Sequence, residues 1–208
     1  MNTVDKPVEN VKNCVYITLF HRLPFCTEAK KLQKMEAAML LVVRKMNAFS
    51  FSKLMQVYLD ANREHGAVLA PEEPEDRQIQ LSEEDFYSYL HDSFFAHPGA
   101  MYCIWEESGR YLSALRLEPY SDGLLLEALE TAPGERRKGY AVRLLQAVQR
   151  MLEQQGSVRL YSHVSKRNVA SLKTHKACGF SIYLDYAAYI DGSVNNRAYT
   201  LRYEKNFS

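Results

Sequence analysis

Leu124-Leu125-Leu126-Glu127-Ala128-Leu129-Glu130-Thr131, followed by Ala132-Pro133-Gly134-Glu135 and then Arg136-Arg137-Lys138-Gly139-Tyr140-Ala141, is the stretch on which the fold turns. The first eight residues form an apolar run long enough for a buried strand. The next four, with Pro followed by Gly, make a turn. Beyond them apolar residues recur at Ala141, Leu144, Leu145, Val148 and Leu152, which is helical spacing. A helix start leaves N–H groups unpaired and carries the positive end of the dipole, so it draws anions. Gly139 lets a ligand approach the backbone closely, and Arg136, Arg137 and Lys138 add positive charge. The guest that suits such a cradle is a pyrophosphate.

The loop resembles the acetyl-CoA loop of the GNAT superfamily of N-acyltransferases, with pattern Arg/Gln-x-x-Gly-x-Gly/Ala, at Arg136, Gly139 and Ala141. Pro133, three residues ahead of Arg136, is frequent in that family too. A second family pattern, Asn-x-x-Ser-x-x-x-Tyr-x-x-x-Gly-Phe, is matched at Asn168, Ser171, Gly179 and Phe180, with His175 in the place of Tyr. One helix and one strand separate the two patterns, as in the family. The resemblance spans residues 39–208.

Composition sets the frame. With 208 residues, 47% hydrophobic and 25% charged, the chain reads as one soluble globular domain, with an appendage at residues 1–38. A net charge of +1 gives no global field for nucleic acid or an anionic membrane. The cysteines at 14, 26, 103 and 178 form no C-x-x-C pair, so neither a zinc site nor a disulfide framework is expected. Free thiols imply a reducing, cytoplasmic setting. No apolar run approaches the roughly 20 residues of a membrane helix, and no signal peptide is legible.

Along the chain, residues 1–38 mix a short apolar run with a Lys-rich stretch from Lys30 to Lys34. They read as an extension, either an artefact of start-site assignment or a helix packing on the domain. The first strand is expected to begin at Met39. Ser50 caps a helix through His65, closed by Gly66. Residues 67–80, rich in Pro and acid, read as a mobile loop that is either solvated or attracts a cationic amine. Ser82-Glu83-Glu84-Asp85 resembles a capping box opening a second helix. A hairpin follows around Glu107-Ser108-Gly109, and Gly156 closes the long helix. A strand at 158–164, a helix at 168–178 and two last strands at 180–190 and 197–203 complete the reading. The pattern is α+β in three layers: a central mixed, mostly antiparallel sheet of about seven strands with helices on both faces. The last strand, as a sheet edge, supports a homodimer.

The resemblance implies an enzyme that moves an acetyl group from acetyl-CoA to an amine acceptor, small molecule or peptide, by direct transfer in a ternary complex and without a metal. The backbone from Arg137 to Val142, through Lys138, Gly139, Tyr140 and Ala141, would hold the pyrophosphate with Arg136. Pantetheine would run along Leu129, Glu130 and Thr131, and Asn168 and Ser171 would contact the cofactor arm. Asn168 also reads as a helix N-cap. An alkyl amine is almost wholly protonated at pH 7, so a general base is useful. Glu127, in a strand buried on both faces, fits that task or else pairs with an Arg of a covering helix. Strand alternation puts it on the side of Leu125, Leu129 and Thr131, with Glu130 facing away. His175 would protonate the leaving thiolate, or lies on the helix surface. His163 lines the pocket or is structural. A module that binds acyl-CoA as a sensor and has lost catalysis is the alternative, supported by the missing Tyr.

Overall fold

A computed structural model describes residues 14–18, 38–156 and 158–205. The Lys-rich stretch expected at 30–34 lies outside them. Strand β1 (Cys14–Thr18) lies antiparallel on β2 (Met39–Val43), whose start is where the sequence puts it. Three helices follow, α1 (Phe51–Val57), α2 (Leu59–Leu69) and α3 (Glu75–Asp92). The chain returns as β3 (Met101–Glu107), β4 (Arg110–Tyr120) and β5 (Gly123–Thr131), then crosses over through α4 (Tyr140–Glu153) into β6 (Val158–Ser165). After α5 (Val169–Ala177) come β7 (Ser181–Leu184), the short pair β8 (Ala187–Ala188) and β9 (Val194–Asn195), and β10 (Ala198–Lys205).

The main sheet has the order β1-β2-β3-β4-β5-β6-β10-β7, and among the described pairs only β5 and β6 run parallel. Its strands are apolar on both sides because both sides are covered. Leu40 and Val42 of β2 pack with Leu144, Leu145 and Val148 of α4 in one core. Leu41 and Val43 pack with Leu54 and Met55 of α1 and Leu90 of α3 in the other. The β3–β4 hairpin turns through Ser108 and Gly109, both at positive φ (56° and 71°), as a two-residue type I′ turn requires. The last strand does not lie at the edge: β10 sits between β6 and β7, and β7 is the edge strand. The dimer expected through an exposed last strand therefore loses its premise.

The helical layer departs from the sequence reading in an instructive way. Ser50 does cap α1, accepting from the Lys53 N–H at 3.4 Å, but the helix breaks at Tyr58 and resumes as α2. Gly66 lies inside α2 rather than closing it, and a Cβ there would meet the Gln78 carbonyl oxygen at 2.2 Å. Ser82, read as a helix start, is buried within α3, where its hydroxyl donates to Asn62 Oδ1 of α2 at 3.3 Å. Both small residues are there to let two helices touch. The expected loop at 67–80 shrinks to residues 70–74, and Glu75 and Asp76 occupy the first turn of α3, where acids suit the dipole. Gly66→Ala should force α2 and α3 apart and lower stability by about 1–3 kcal/mol. The check is a urea midpoint shift at constant slope; a midpoint equal to wild type would show that the close contact is not needed.

Candidate active site

The site is built where β5 leaves β6. The two strands pair at Leu124↔Leu160, Leu125↔Tyr161 and Leu126↔Ser162, and then pairing stops. On its other edge β5 stays paired to β4, but irregularly: Arg116 faces Glu127 and Ala114 faces Glu130, so two steps on β4 span three on β5. The extra residue is a β-bulge, and Ala128 at its centre has φ of 50°, a left-handed conformation that costs energy in a non-glycine residue. The Tyr58 hydroxyl, buried in the helical layer, donates to the Ala128 carbonyl at 2.7 Å.

The bulge resets the alternation of the strand. Ala128 packs against the core under α1–α3, whereas Leu129 packs against the core under α4. Glu127 pairs with Arg116, whose guanidinium lies over the rings of Phe86, Tyr89 and Phe94. Glu130 meets Arg136, itself paired to Asp60 of α2. Glu127 and Glu130 therefore share the face under α1–α3, and Leu129, expected beside Glu127, turns to the other. Thr131 donates to the Ser113 hydroxyl at 3.2 Å. The backbone of β5 beyond Leu126 has β4 on one edge and, among the described residues, no paired strand on the other.

The loop after β5 ends on an open helix start. Arg137 (φ 63°) and Gly139 (φ 83°) both take left-handed backbone, and α4 begins at Tyr140 without a side-chain cap. A Cβ built on Gly139 would meet nothing within 4 Å, so its surface is free for close approach. The N–H groups of Tyr140, Ala141 and Val142 have no acceptor inside the helix. The basic side chains divide their work. Arg136, exposed, lies 2.7 Å from Asp60 and 3.4 Å from the Thr131 carbonyl. Lys138 pairs with Glu135, and Tyr140 donates to Glu107. Arg137 has no ion pair among the described residues and is exposed.

Beside the bulge lies a titratable cluster. Burial lifts the Glu127 carboxyl above its ordinary value; Arg116 works against that lift and a hydrogen-bonded Glu118 adds to it. Burial lowers the pKa of His163, with the Glu127 charge opposing. The sequence reading missed Arg116, although a charged residue between Leu115 and Leu117 in an apolar strand is itself a signal. Nothing in the sequence points to Tyr58.

The second motif folds as a capped helix. Asn168 accepts from the Ser171 N–H at 3.0 Å. His175 is buried rather than on the helix surface, against Phe180, and its Nδ1 lies 2.8 Å from the Ser171 carbonyl. A carbonyl only accepts, so Nδ1 carries the proton and the neutral ring presents a bare Nε2, which is buried without a partner among the described residues. Desolvation lowers the pKa of the ring. A cavity of about 360 Å³ borders the loop against Arg110, Tyr111 and Pro133. A larger one, about 590 Å³, lies against Arg44, Phe51 and Tyr87.

With this geometry in hand, comparison with known proteins gives the class. Residues 52–180 match the model of the acetyltransferase (GNAT) family. The chain is 33% identical over 112 residues, 52% of its length and 74% of the relative's, to aminoglycoside N(6′)-acetyltransferase type 1 of Serratia marcescens. The PaiA N-acetyltransferase of Thermoplasma acidophilum, solved in complex with coenzyme A, superposes with a TM-score of 0.51 at 13% identity, covering 80% of this chain and 99% of that one. The chain belongs to the GNAT family of acetyltransferases and is an acyltransferase of that family.

Tyr58→Phe should leave the Ala128 carbonyl without its buried donor and lower stability by about 1–3 kcal/mol. Thermal unfolding checks it, and an unchanged midpoint would mean that water or another donor replaces the hydroxyl.

Proposed function

We propose that the protein transfers an acetyl group from acetyl-CoA directly to an amine held with it in one ternary complex. The observation that carries this reading is the parting of β5 from β6 after Leu126 and Ser162, beside the uncapped start of α4. A free strand edge leading to an open helix N-terminus fits a long, hydrogen-bonding arm that ends in a pyrophosphate. On this reading the N–H groups from Arg137 through Lys138, Gly139, Tyr140 and Ala141 to Val142 hold the pyrophosphate, with Arg136 bracing the loop. Leu129, Glu130 and Thr131 offer pantetheine their backbone. Asn168 and Ser171, at the start of α5, face the arm from the other strand's side. The buried free thiols of Cys103 and Cys178 favour the reducing cytoplasm as the setting.

The amine approaches from the face under α1–α3, toward Glu127. An ammonium must lose a proton before its nitrogen can attack, and a carboxylate with a raised pKa is the better base. The neutral amine attacks the thioester carbonyl, the C–S bond breaks, and the amide and the CoA thiolate form. A thiol of ordinary pKa, about 8.5, makes a tolerable leaving group. The acid role of His175 requires its imidazolium, which burial disfavours, so that contribution grows as the pH falls through the lowered pKa of the ring.

Calorimetric titration with acetyl-CoA, repeated with Gly139→Glu, tests the cradle. Micromolar binding by wild type that is lost in the variant, with the variant still folded by circular dichroism, is the expected result. No binding by wild type would remove acetyl-CoA as the acyl donor of this chain. A panel of an aminoglycoside, a polyamine and an alanine-ended peptide then tests the acceptor.

A further inference from the structure

His163 stands one residue past Ser162, the last β6 residue paired to β5, just as Glu127 stands one past Leu126. Side chains alternate along a strand, so both continue the face of Leu125 and Tyr161, toward the helical layer. The imidazole is seated between two aromatic rings: Tyr120 at 5.6 Å and Tyr189 at 5.0 Å, both edge to face. Neither ring nitrogen has a hydrogen-bond partner among the described residues, although both are buried. The neighbouring hydroxyls are engaged elsewhere, that of Tyr120 with the Ala188 carbonyl and that of Tyr161 with Asp122. Across β10, its register partner Thr200 donates to the Tyr186 carbonyl. A buried imidazole with two idle nitrogens loses its water without recompense, so a purely structural role is a poor account of it.

We propose that His163 is a catalytic residue that takes the proton from the acceptor ammonium, with the Glu127 carboxylate stabilising the imidazolium that forms. The proposal rests on the reading of this site as an amine acetyltransferase and assigns the proton's route within it. Arg116 at 3.4 Å favours the Glu127 carboxylate, against burial and the neighbouring Glu118. Both ring nitrogens of His163 lack a hydrogen-bond partner among the described residues, so one of them offers a free lone pair. The ammonium gives one proton to the ring; the nitrogen attacks the acetyl carbon; the C–S bond breaks, and the second nitrogen proton is lost as the amide forms. One proton returns to the CoA thiolate and one leaves to solvent, so amine cation and acetyl-CoA become amide, CoA thiol and a proton. The groups facing the ring are Glu127 of β5, Tyr120 of β4, with Glu118 and Arg116 of the same strand acting through Glu127, Tyr189 after β8 and Thr200 of β10.

His163→Gln and wild type are compared with acetyl-CoA and the amine panel. The expected result is a loss of about 10²-fold in kcat with KM for acetyl-CoA unchanged. In wild type kcat falls on the acid side as the pH drops through the lowered pKa of the ring, because the protonated ring cannot accept; that limb disappears in the variant. A variant within threefold of wild type and with the same acid limb overturns the proposal while leaving the transferase reading intact. Wild type that acetylates no amine of the panel overturns both. A second measurement needs no acceptor and no folding of the His163 variant: proton NMR of the His163 ring in wild type and in Glu127→Gln. Removing the carboxylate should move the ring's titration midpoint to lower pH, and an unmoved midpoint overturns the pairing.

Discussion

The parting of β5 and β6 is the constraint on which the rest of the molecule depends. At one end the strands are pressed together: a Cβ on Gly123 would meet the Arg159 carbonyl oxygen at 2.4 Å, and Arg159 bridges Asp122 and Glu204. Three register pairs later they separate. The bulge at Ala128 explains how one strand can do both, because an inserted residue increases local twist and bends the strand. A left-handed alanine persists only where its surroundings fix it, and Tyr58 holds its carbonyl from the helical layer. The free edge of β5 is thus a product of strain at one residue and of helix packing a long way off in sequence.

Charge follows the same hierarchy. A half-buried Glu127 needs a cation, Arg116 supplies it, and a guanidinium that is itself mostly buried needs the faces of Phe86, Tyr89 and Phe94. Phe86 and Tyr89 belong to α3, whose position depends on its contact with α2 at Gly66 and Ser82. A small side chain between two helices therefore bears on the pKa of a carboxylate in the sheet. Arg136 adds a second link, tying the loop after β5 to Asp60 of α2 and to Glu130. The loop after β5 and the face under α1–α3 are thus joined through Arg136.

What was legible in the sequence was what is local. The start of β2 at Met39, the loop, the helix that follows it and the Asn168 cap all rest on residues a few positions apart, and all appear. The positive φ of Gly139 is the backbone reason for a glycine there. What failed was nonlocal. Alternation along β5 assumed one residue per step, and the bulge at Ala128 breaks that count, bringing Glu130 to the side of Glu127. Gly66 and Ser82 carry the usual signs of helix ends, but a helix crossing wants small residues as much as a cap does. The order of β10 and β7 depends on pairing across the whole sheet, which no window of sequence contains.

The two histidines show the same limit in chemical form. His175 stands on a motif and His163 on none, yet the motif slot says nothing of where the proton resides. In His175 the Ser171 carbonyl fixes the proton on Nδ1, and the neutral ring has only a lone pair to offer at Nε2. A leaving thiolate wants a proton, not a lone pair. On the proposed route, the imidazolium formed on His163 by deprotonating the amine is such a donor, with the proton already in the site. An imidazolium whose pKa burial has lowered is a stronger acid than a thiol of ordinary pKa, about 8.5, so that transfer runs downhill. Burial, which lowers the pKa of His163, makes that return step easier and the initial capture harder. The Glu127 charge opposes that lowering, so on the proposed route carboxylate and imidazole work as a pair.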